Sequence, residues 1–184
     1  TSRRQRQMCI RDSSTSTRNY YLVLHRGSVD INKSIYFSLS AYDRIKTSSV
    51  SVSISGTASN KGNSSISMSG VDSSVISVNL TNDTKIPNKA IVTSISSSGT
   101  QSPSQGNVHH MIMPASNSIW YTSTVSSASS GHYNIDVDDG IPVKQKWSFK
   151  YNALATAKST MRNVKLTIGF QYDLHDTDYK TYIR

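Results

Sequence analysis

Residues Asn163–Leu174, with the sequence NVKLTIGFQYDL, decide the fold class of this 184-residue chain. The apolar side chains stand at every second position: Val164, Leu166, Ile168, Phe170 and Tyr172. Because successive side chains of a β-strand point to opposite faces, this spacing predicts a strand with one buried and one wet face. A slip of one residue in strand register would expose the whole apolar set, so the face assignment is strongly specified.

Runs of the same kind recur along the chain, separated by clusters of Gly, Asn, Asp, Ser or Pro. Val50, Val52 and Ile54 alternate with serines, for example. The candidate strands are Tyr20–Arg26, Ser34–Ser40, Ser48–Ser55, Ser64–Ser69, Val75–Leu80, Lys89–Ser96, His109–Met113, Ile119–Val125, His132–Asp136, Val143–Tyr151, Asn163–Leu174 and Tyr179–Ile183. Many short strands at this spacing are typical of a sandwich or a barrel.

The composition also disfavours helices. The chain has no Glu, and it is rich in Ser, Thr, Asn and Asp, whose side chains compete with helical hydrogen bonds. Only Ala153–Met161 could form a helical turn or two, and a bulged strand fits that segment equally well. We therefore predict an all-β fold, an antiparallel β-sandwich of the immunoglobulin-like or jelly-roll-like kind, with little or no helix.

The distribution of strand-like runs and turn clusters predicts that the chain has two parts. Residues 1–17 form a basic tail that is disordered or artefactual, and residues 18–184 form a single β-sandwich domain. Within that domain Ser96–Asn107 (SSSGTQSPSQGN) carries no hydrophobic side chain, so we expect an exposed and mobile loop. No apolar run approaches the ~20 residues that a membrane span needs, and no signal peptide is visible.

Arg3–Ser13, with the sequence RRQRQMCIRDS, shares no pattern with the rest of the chain. This run resembles translated sequencing-adapter sequence, as found at broken ends of metagenomic reading frames. That interpretation makes Cys9 and four of the twenty basic residues artefactual. The alternative is a short basic arm that neutralises nucleic-acid phosphates, as in small virus coat proteins.

No arrangement of residues points to catalysis, and we predict a protein that is not an enzyme. Without Glu, a glycosidase pair of carboxylates would need two Asp residues. The chain has no G-x-S-x-G, H-E-x-x-H, P-loop or dinucleotide-binding glycine pattern. A single cysteine rules out an intramolecular disulfide framework.

The densest acidic cluster is Asp136-Val137-Asp138-Asp139-Gly140. In a strand Asp136 and Asp138 point to the same side, and hard oxygen ligands suit calcium, so Asp136, Asp138 and Asp139 are the candidate metal ligands. Turn formation by Asp139-Gly140 explains the same residues without an ion. The cofactor prediction is therefore none, with calcium as the one candidate.

Two other groups of residues could contact a ligand. His109 and His110 are adjacent, so in a strand they face opposite sides and do not readily bind one ion. Basic residues give the chain a formal net charge of +9. Lys144, Lys146, Lys150 and Lys165 could form a positive outer surface that attracts an anionic surface polymer. No motif for specific nucleic-acid recognition is present.

The segments Tyr36–Asp43 (YFSLSAYD) and Val50–Thr57 (VSVSISGT) resemble Ser/Thr-rich secreted β-sandwich surface proteins of Gram-positive bacteria. The resemblance is one of composition. It implies an exported surface protein, and it assigns no functional residue.

Three functions remain open from the sequence. The first is a non-catalytic extracellular adhesion-type domain that binds a glycan or a cell-surface polymer. The second is a self-assembling subunit of a virus capsid, pilus or fibre, in which the terminal strand Asn163–Leu174 pairs with a neighbouring copy. A genuine basic arm would favour the capsid and place the protein in a virion. The third, a hydrolase, lacks the expected motifs.

Overall fold

The computed structural model describes residues 45–124 and 133–174. These residues belong to the compact unit that spans residues 41–184. The predicted tail 1–17, the domain boundary at residue 18 and the candidate strands Tyr20–Arg26, Ser34–Ser40 and Tyr179–Ile183 lie outside the described residues. The domain organisation therefore stays a prediction.

The described residues form ten β-strands and no helix, which confirms the predicted all-β fold. Most predicted strands are present with shifted ends. The strands are β1 (Ile45–Ile54), β2 (Ala58–Asn60), β3 (Val71–Asp72), β4 (Ile76–Asn79), β5 (Ile91–Ser102), β6 (Val108–Pro114), β7 (Tyr121–Thr122), β8 (Tyr133–Ile135), β9 (Lys146–Ala153) and β10 (Ser159–Asp173).

The strands form two antiparallel sheets that pack against each other. In sheet A the order is β1-β10-β5-β8, and β2 continues the edge of β1 along β10. In sheet B the order is β3-β9-β6-β7, and β4 continues the edge of β3 along β9. With each interrupted edge counted as one strand, the described residues form two four-stranded sheets whose strand orders are those of a jelly roll. The immunoglobulin sandwich, with its different division of strands, does not fit this order.

The core lies between the sheets and is built from the alternating positions that the sequence predicted. Val164, Leu166, Ile168 and Phe170 of β10 are all buried, and Tyr172 is partly buried against them. Trp147, Phe149 and Tyr151 of β9 face them from sheet B and are fully buried. Because the two central strands carry this pattern, their apolar faces meet and exclude water.

Two predicted segments have a different structure from the one expected. Ser64–Ser69 is not a strand but a turn-rich loop between β2 and β3. The buried Asn63 organises it by accepting a hydrogen bond from the Ser67 amide and donating to the Ser67 and Leu154 carbonyls. In Ala153–Met161 neither the helical turn nor a bulged strand forms: β9 ends at Ala153, residues 154–158 connect the two strands, and β10 begins at Ser159. The bulge of β10 comes after this segment, where β10 has an extra residue opposite β5 next to the left-handed Asn163 (φ 53°).

The prediction of an exposed loop at Ser96–Asn107 is wrong for its first half. Strand β5 continues to Ser102, and its Ser97, Gly99 and Gln101 are buried on the core face. Gln101 donates a hydrogen bond to Ser159 (3.1 Å), and Ser97 lies 2.9 Å from Nδ1 of the buried His110. Polar side chains are tolerated in a core when they find such partners. The end of the core near Gln101 is thus polar.

Candidate functional site

A five-residue arch, Asp136–Gly140, opens beside strand β5. Strand β8 pairs with β5 only as far as Ile135, opposite Ile95. The chain then leaves the sheet and returns where the Val92 amide donates to the carbonyl of Ile141 (2.9 Å). Between these two attachment points β5 has no neighbouring strand on that side among the described residues. The arch and β5 therefore enclose an open space at the sheet edge.

A β-bulge lies opposite this arch. Ser94 pairs with Gly169 and Val92 pairs with Phe170, so Thr93 is an extra residue in β5. Bulges bend a strand and redirect side chains, and they recur beside functional sites. At Gly169 an added Cβ would lie 2.4 Å from the Ser94 hydroxyl oxygen, so only glycine fits there without movement. Thr93 and Ser94 are both exposed at the bulge, and both line the open space beside the arch.

Together the arch and the bulge form a groove of about 750 Å³. Its walls combine the apolar Ile91 and Val137 with hydroxyl, amide and carboxylate groups. The polar residues that line the groove are Thr93, Ser94, Asn134, Asp136, Asp138, Asp139 and Gln171. Ligand sites are commonly grooves of this size, with a few polar groups that converge on the ligand. The predicted acidic cluster therefore lies in a concave site.

The arch is fastened to the opposite sheet through Asp138. The Tyr121 hydroxyl on β7 donates a hydrogen bond to the Asp138 carboxylate (2.6 Å) and accepts one from the Asn117 side-chain amide (2.7 Å). The hydrogen bond to Asp138 is the main reason that the pKa of Tyr121 lies above its usual value. All three aspartates are exposed on the arch, and Asp138 has a positioning role through its bond from Tyr121.

The candidate calcium ligands are close in sequence, but they do not form a recognisable metal cluster. Across residues 45–124 and 133–174, no three His, Cys, Asp or Glu side chains are grouped so that they could hold one metal ion. The turn interpretation accounts for Asp139-Gly140, since Gly140 has φ 79° in the turn that closes the arch. Calcium at Asp136, Asp138 and Asp139 stays a prediction.

The two histidines of β6 face opposite sides, as the sequence predicted. His110 is buried, stacked on Tyr133 (ring centroids 3.7 Å apart) and edge-on to Phe149. Its Nε2 has no hydrogen-bond partner among the described residues, and burial lowers the pKa of His110 to about 3. His109 lies on the other face, half-buried. His110 is therefore a neutral core residue.

The basic residues do not form the single positive surface that was predicted. Lys146 and Lys150 lie on the outer face of sheet B, whereas Lys165 lies on the outer face of sheet A. Lys150 is also neutralised locally, by an ion pair with Asp72 (2.5 Å) and a position 4.4 Å from the centre of the Trp120 ring. Lys144, the remaining member, donates a hydrogen bond to Asn88.

The predicted role of Asn163–Leu174 in pairing with a neighbouring copy is not compatible with the structure. Strand β10 is central in sheet A, because it hydrogen-bonds to β1 and β2 on one side and to β5 on the other. A strand with both sides paired presents no free backbone groups to another chain. The correction follows from topology, which the alternation of side chains does not reveal.

Sequence reasoning found the acidic part of the groove and missed the rest. Thr93, Asn134 and Gln171 carried no signal in a chain so rich in small polar residues. They become part of a site only because β5, β8 and β10 are neighbours in sheet A. The Asp-Gly turn was the one local signal of the arch.

The described residues contain no helix long and apolar enough to cross a membrane. No protein-family model matches the chain. The chain is similar to a protein of Bacillus subtilis (strain 168), YbdN, which is described only as uncharacterized. The two are 49% identical over 163 residues, or 89% of this chain. The chain spans 56% of the length of that relative. Because the relative has no described function, the functional proposal rests on the groove.

Proposed function

We propose that the protein is a non-catalytic extracellular surface domain that binds a hydroxyl-rich glycan in the groove between β5 and the Asp136–Gly140 arch. The observation that carries the proposal is the convergence of Asp136 and Asp139 with Asn134 and Gln171 around a space of about 750 Å³. Composition supports the extracellular location, because the Ser/Thr-rich, Glu-free chain resembles secreted surface proteins.

The chemistry of the groove suits sugar hydroxyls. A carboxylate accepts hydrogen bonds from two neighbouring hydroxyls, and an amide side chain both donates and accepts. The apolar Ile91 and Val137 can cover the C–H face of a sugar ring. Bonds that involve a charged partner are also stronger than neutral ones, which favours Asp136 and Asp139 as the main contacts.

The same charges favour a neutral glycan over an anionic polymer. Three carboxylates line the groove, whereas Lys146, Lys150 and Lys165 lie on the outer faces of the two sheets. A teichoic acid or acidic glycan that entered the groove would bring like charges together at close range. The net charge of +9 acts at long range and does not remove that local repulsion.

A glycan array with the full chain, followed by calorimetry on the best neutral ligand, tests the proposal. The double variant Asn134→Ala/Asp136→Asn should weaken binding about tenfold or more, which corresponds to ~1.4 kcal/mol. Both side chains are exposed, so the fold should be retained. The glycan should be recovered chemically unchanged, as expected for a non-catalytic site.

Asp83→Asn is the matched control, because it also removes one carboxylate. Asp83 lies between β4 and β5 and does not line the groove, and an Asn there keeps an oxygen that can accept the Lys85 amide. Binding that is equal in the double variant and the wild type would contradict the proposal. Repeating the titration with a chelator separates direct carboxylate contacts from contacts through calcium, since only the latter are lost.

A further inference from the structure

The exposed edges of the two sheets differ greatly in length. In sheet B one edge is divided between β3 (two residues) and β4 (four residues), and the other edge is β7 (two residues). In sheet A, β8 has three residues, whereas β1 has ten. Short or interrupted edge strands are a common protection against unwanted pairing. Strand β1 is the one long edge among the described residues.

The Ser48–Ile54 part of strand β1 also lacks the other protections. Its register with β10 runs from Ile45 opposite Asp173 to Ile54 opposite Val164 without a shift, so no bulge twists the edge away. Ser48–Ile54 contains neither proline nor a charged residue. In an antiparallel edge strand, every second residue turns its N–H and C=O away from the neighbouring strand. Among the described residues, no strand pairs with the outer side of Ser48–Ile54, which therefore offers a row of backbone donors and acceptors.

Five residues of β1 are symmetric about Ser51. They read Ser49-Val50-Ser51-Val52-Ser53, which is the same in both directions. Two copies that meet antiparallel at Ser51 place Ser49 opposite Ser53 and Val50 opposite Val52. A two-fold interface requires this kind of self-complementary segment. We propose that two copies of the chain pair through β1, antiparallel and centred on Ser51, to join their A sheets into one continuous sheet.

The side chains of both faces fit this arrangement. Val50 and Val52 lie on the core side of sheet A, where Val52 is still partly exposed, and pairing brings the valines of the two copies together. On the outer face the serines are exposed and small. Ser51 already lies 2.8 Å from the Thr167 hydroxyl of the neighbouring strand, which shows that hydroxyls pack side by side across this sheet. Because Ser48–Ile54 has no charged residue, no like charges meet at the centre of the pairing.

The experiment measures the molar mass of the full chain by light scattering and by analytical ultracentrifugation. The wild type should have twice the 20.2 kDa mass of one chain. Ser51→Lys and Ser51→Glu should each be monomeric, because the symmetry places two like charges directly opposite each other. Ser51 is exposed on the outer face, so both variants should fold, with the same β-strand content as the wild type by circular dichroism.

A mixture of the two variants provides the decisive measurement. An equimolar mixture of Ser51→Lys and Ser51→Glu should recover the mass of the dimer, because the introduced charges are then opposite in sign. Ser77→Lys, on the exposed outer face of sheet B, is the control and should leave the wild-type mass unchanged. Residue 51 opposite residue 51 is a property of this symmetric register, so rescue by mixing also fixes the register.

A wild-type protein that is monomeric at all accessible concentrations would overturn the proposal. So would a dimer that Ser51→Lys leaves intact, because the interface would then lie elsewhere. These outcomes are independent of the groove, which lies at the β5–β8 side of sheet A, away from the β1 edge.

Discussion

The two halves of strand β5 bury the same face with opposite chemistry. Its first half places Val92 and Ile95 in the apolar core. Its second half places Ser97, Gly99 and Gln101 on the same face, where the two polar side chains meet His110 and Ser159. Burial in the first half removes apolar surface from water. In the second half it depends on hydrogen-bond partners that come from distant parts of the chain.

Only the burial in the first half of β5 can be predicted from a local sequence pattern. Apolar alternation is local, since it needs only the spacing of side chains along one strand. A buried Gln or Ser is stable only if its partner is in place, because an unpaired polar group in the core costs about 1–3 kcal/mol. Gln101 and Ser159 are 58 residues apart in the chain and 3.1 Å apart in space. No local pattern contains that information.

The largest effect is expected in the apolar half, from Ile168→Asp. Ile168 is fully buried at the centre of β10. A buried carboxylate without a partner should lower the free energy of unfolding by about 4 kcal/mol or more. Urea denaturation followed by tryptophan fluorescence measures the loss, and at this magnitude the variant could fail to fold at all.

Lys165→Asp is the control for Ile168→Asp. Lys165 lies on the same strand with its exposed side chain on the outer face. The change places a carboxylate in water and should alter stability by less than about 0.5 kcal/mol. Equal losses in the two variants would show that the assignment of faces in β10 is wrong.

The same distinction explains how much of the molecule the sequence predicted. The all-β class, the faces of β9 and β10 and the opposite orientation of His109 and His110 follow from period-two spacing. The jelly-roll order, the central position of β10 and the bulge at Thr93 depend on which strands become neighbours. The groove was therefore only half predicted. Its acidic arch was visible as an Asp-Gly turn, but Asn134 and Gln171 became site residues only in the folded sheet.

The second prediction concerns His110 of β6, which contacts Ser97 where the apolar and polar halves of β5 meet. Burial lowers its pKa from 6.5 to about 3. In the unfolded chain His110 takes up a proton near pH 6.5, whereas in the folded protein it does not, so stability is present above pH 6.5 and is lost as the pH falls. Between pH 6.5 and pH 4 the loss should be about 3 kcal/mol, measured by denaturant unfolding at each pH.

His110→Phe should remove that part of the acid sensitivity. Phe keeps a ring that can stack on Tyr133 and has no group that titrates. His109→Phe, on the half-buried outer side of the same strand, should retain the wild-type pH dependence. A wild-type pH dependence in His110→Phe would mean that other groups cause the acid loss.

The third prediction tests the polar half directly, with Gln101→Ala. The variant loses the hydrogen bond to Ser159 and the one that Gln101 accepts from the Gln105 amide (3.3 Å), and it leaves a small cavity. We expect a loss of about 2 kcal/mol in the free energy of unfolding. Thr100→Ala, exposed on the other face of β5, should change it by less than about 0.5 kcal/mol. If Gln101→Ala were equally mild, the buried amide would not stabilise this end of the core.

The smallest effect is expected from Tyr151→Phe, which removes one hydroxyl from the buried hydrogen-bonded set Gln101, Ser159 and Tyr151. The Tyr151 hydroxyl lies 2.9 Å from the Ser159 hydroxyl, and the ring is fully buried. Because Ser159 keeps its bond from Gln101, the loss should be about 1 kcal/mol, measured by thermal denaturation.

The double variant Gln101→Ala/Tyr151→Phe then tests whether these residues act as one unit. Ser159 would lose both partners at once and remain buried without a hydrogen bond to either of them. The combined loss should therefore exceed the sum of the two single losses by about 0.5 kcal/mol or more. Strictly additive losses in the free energy of unfolding would show that the two hydrogen bonds contribute independently. The polar half would then resemble the apolar half, in which each buried group contributes by its own transfer from water.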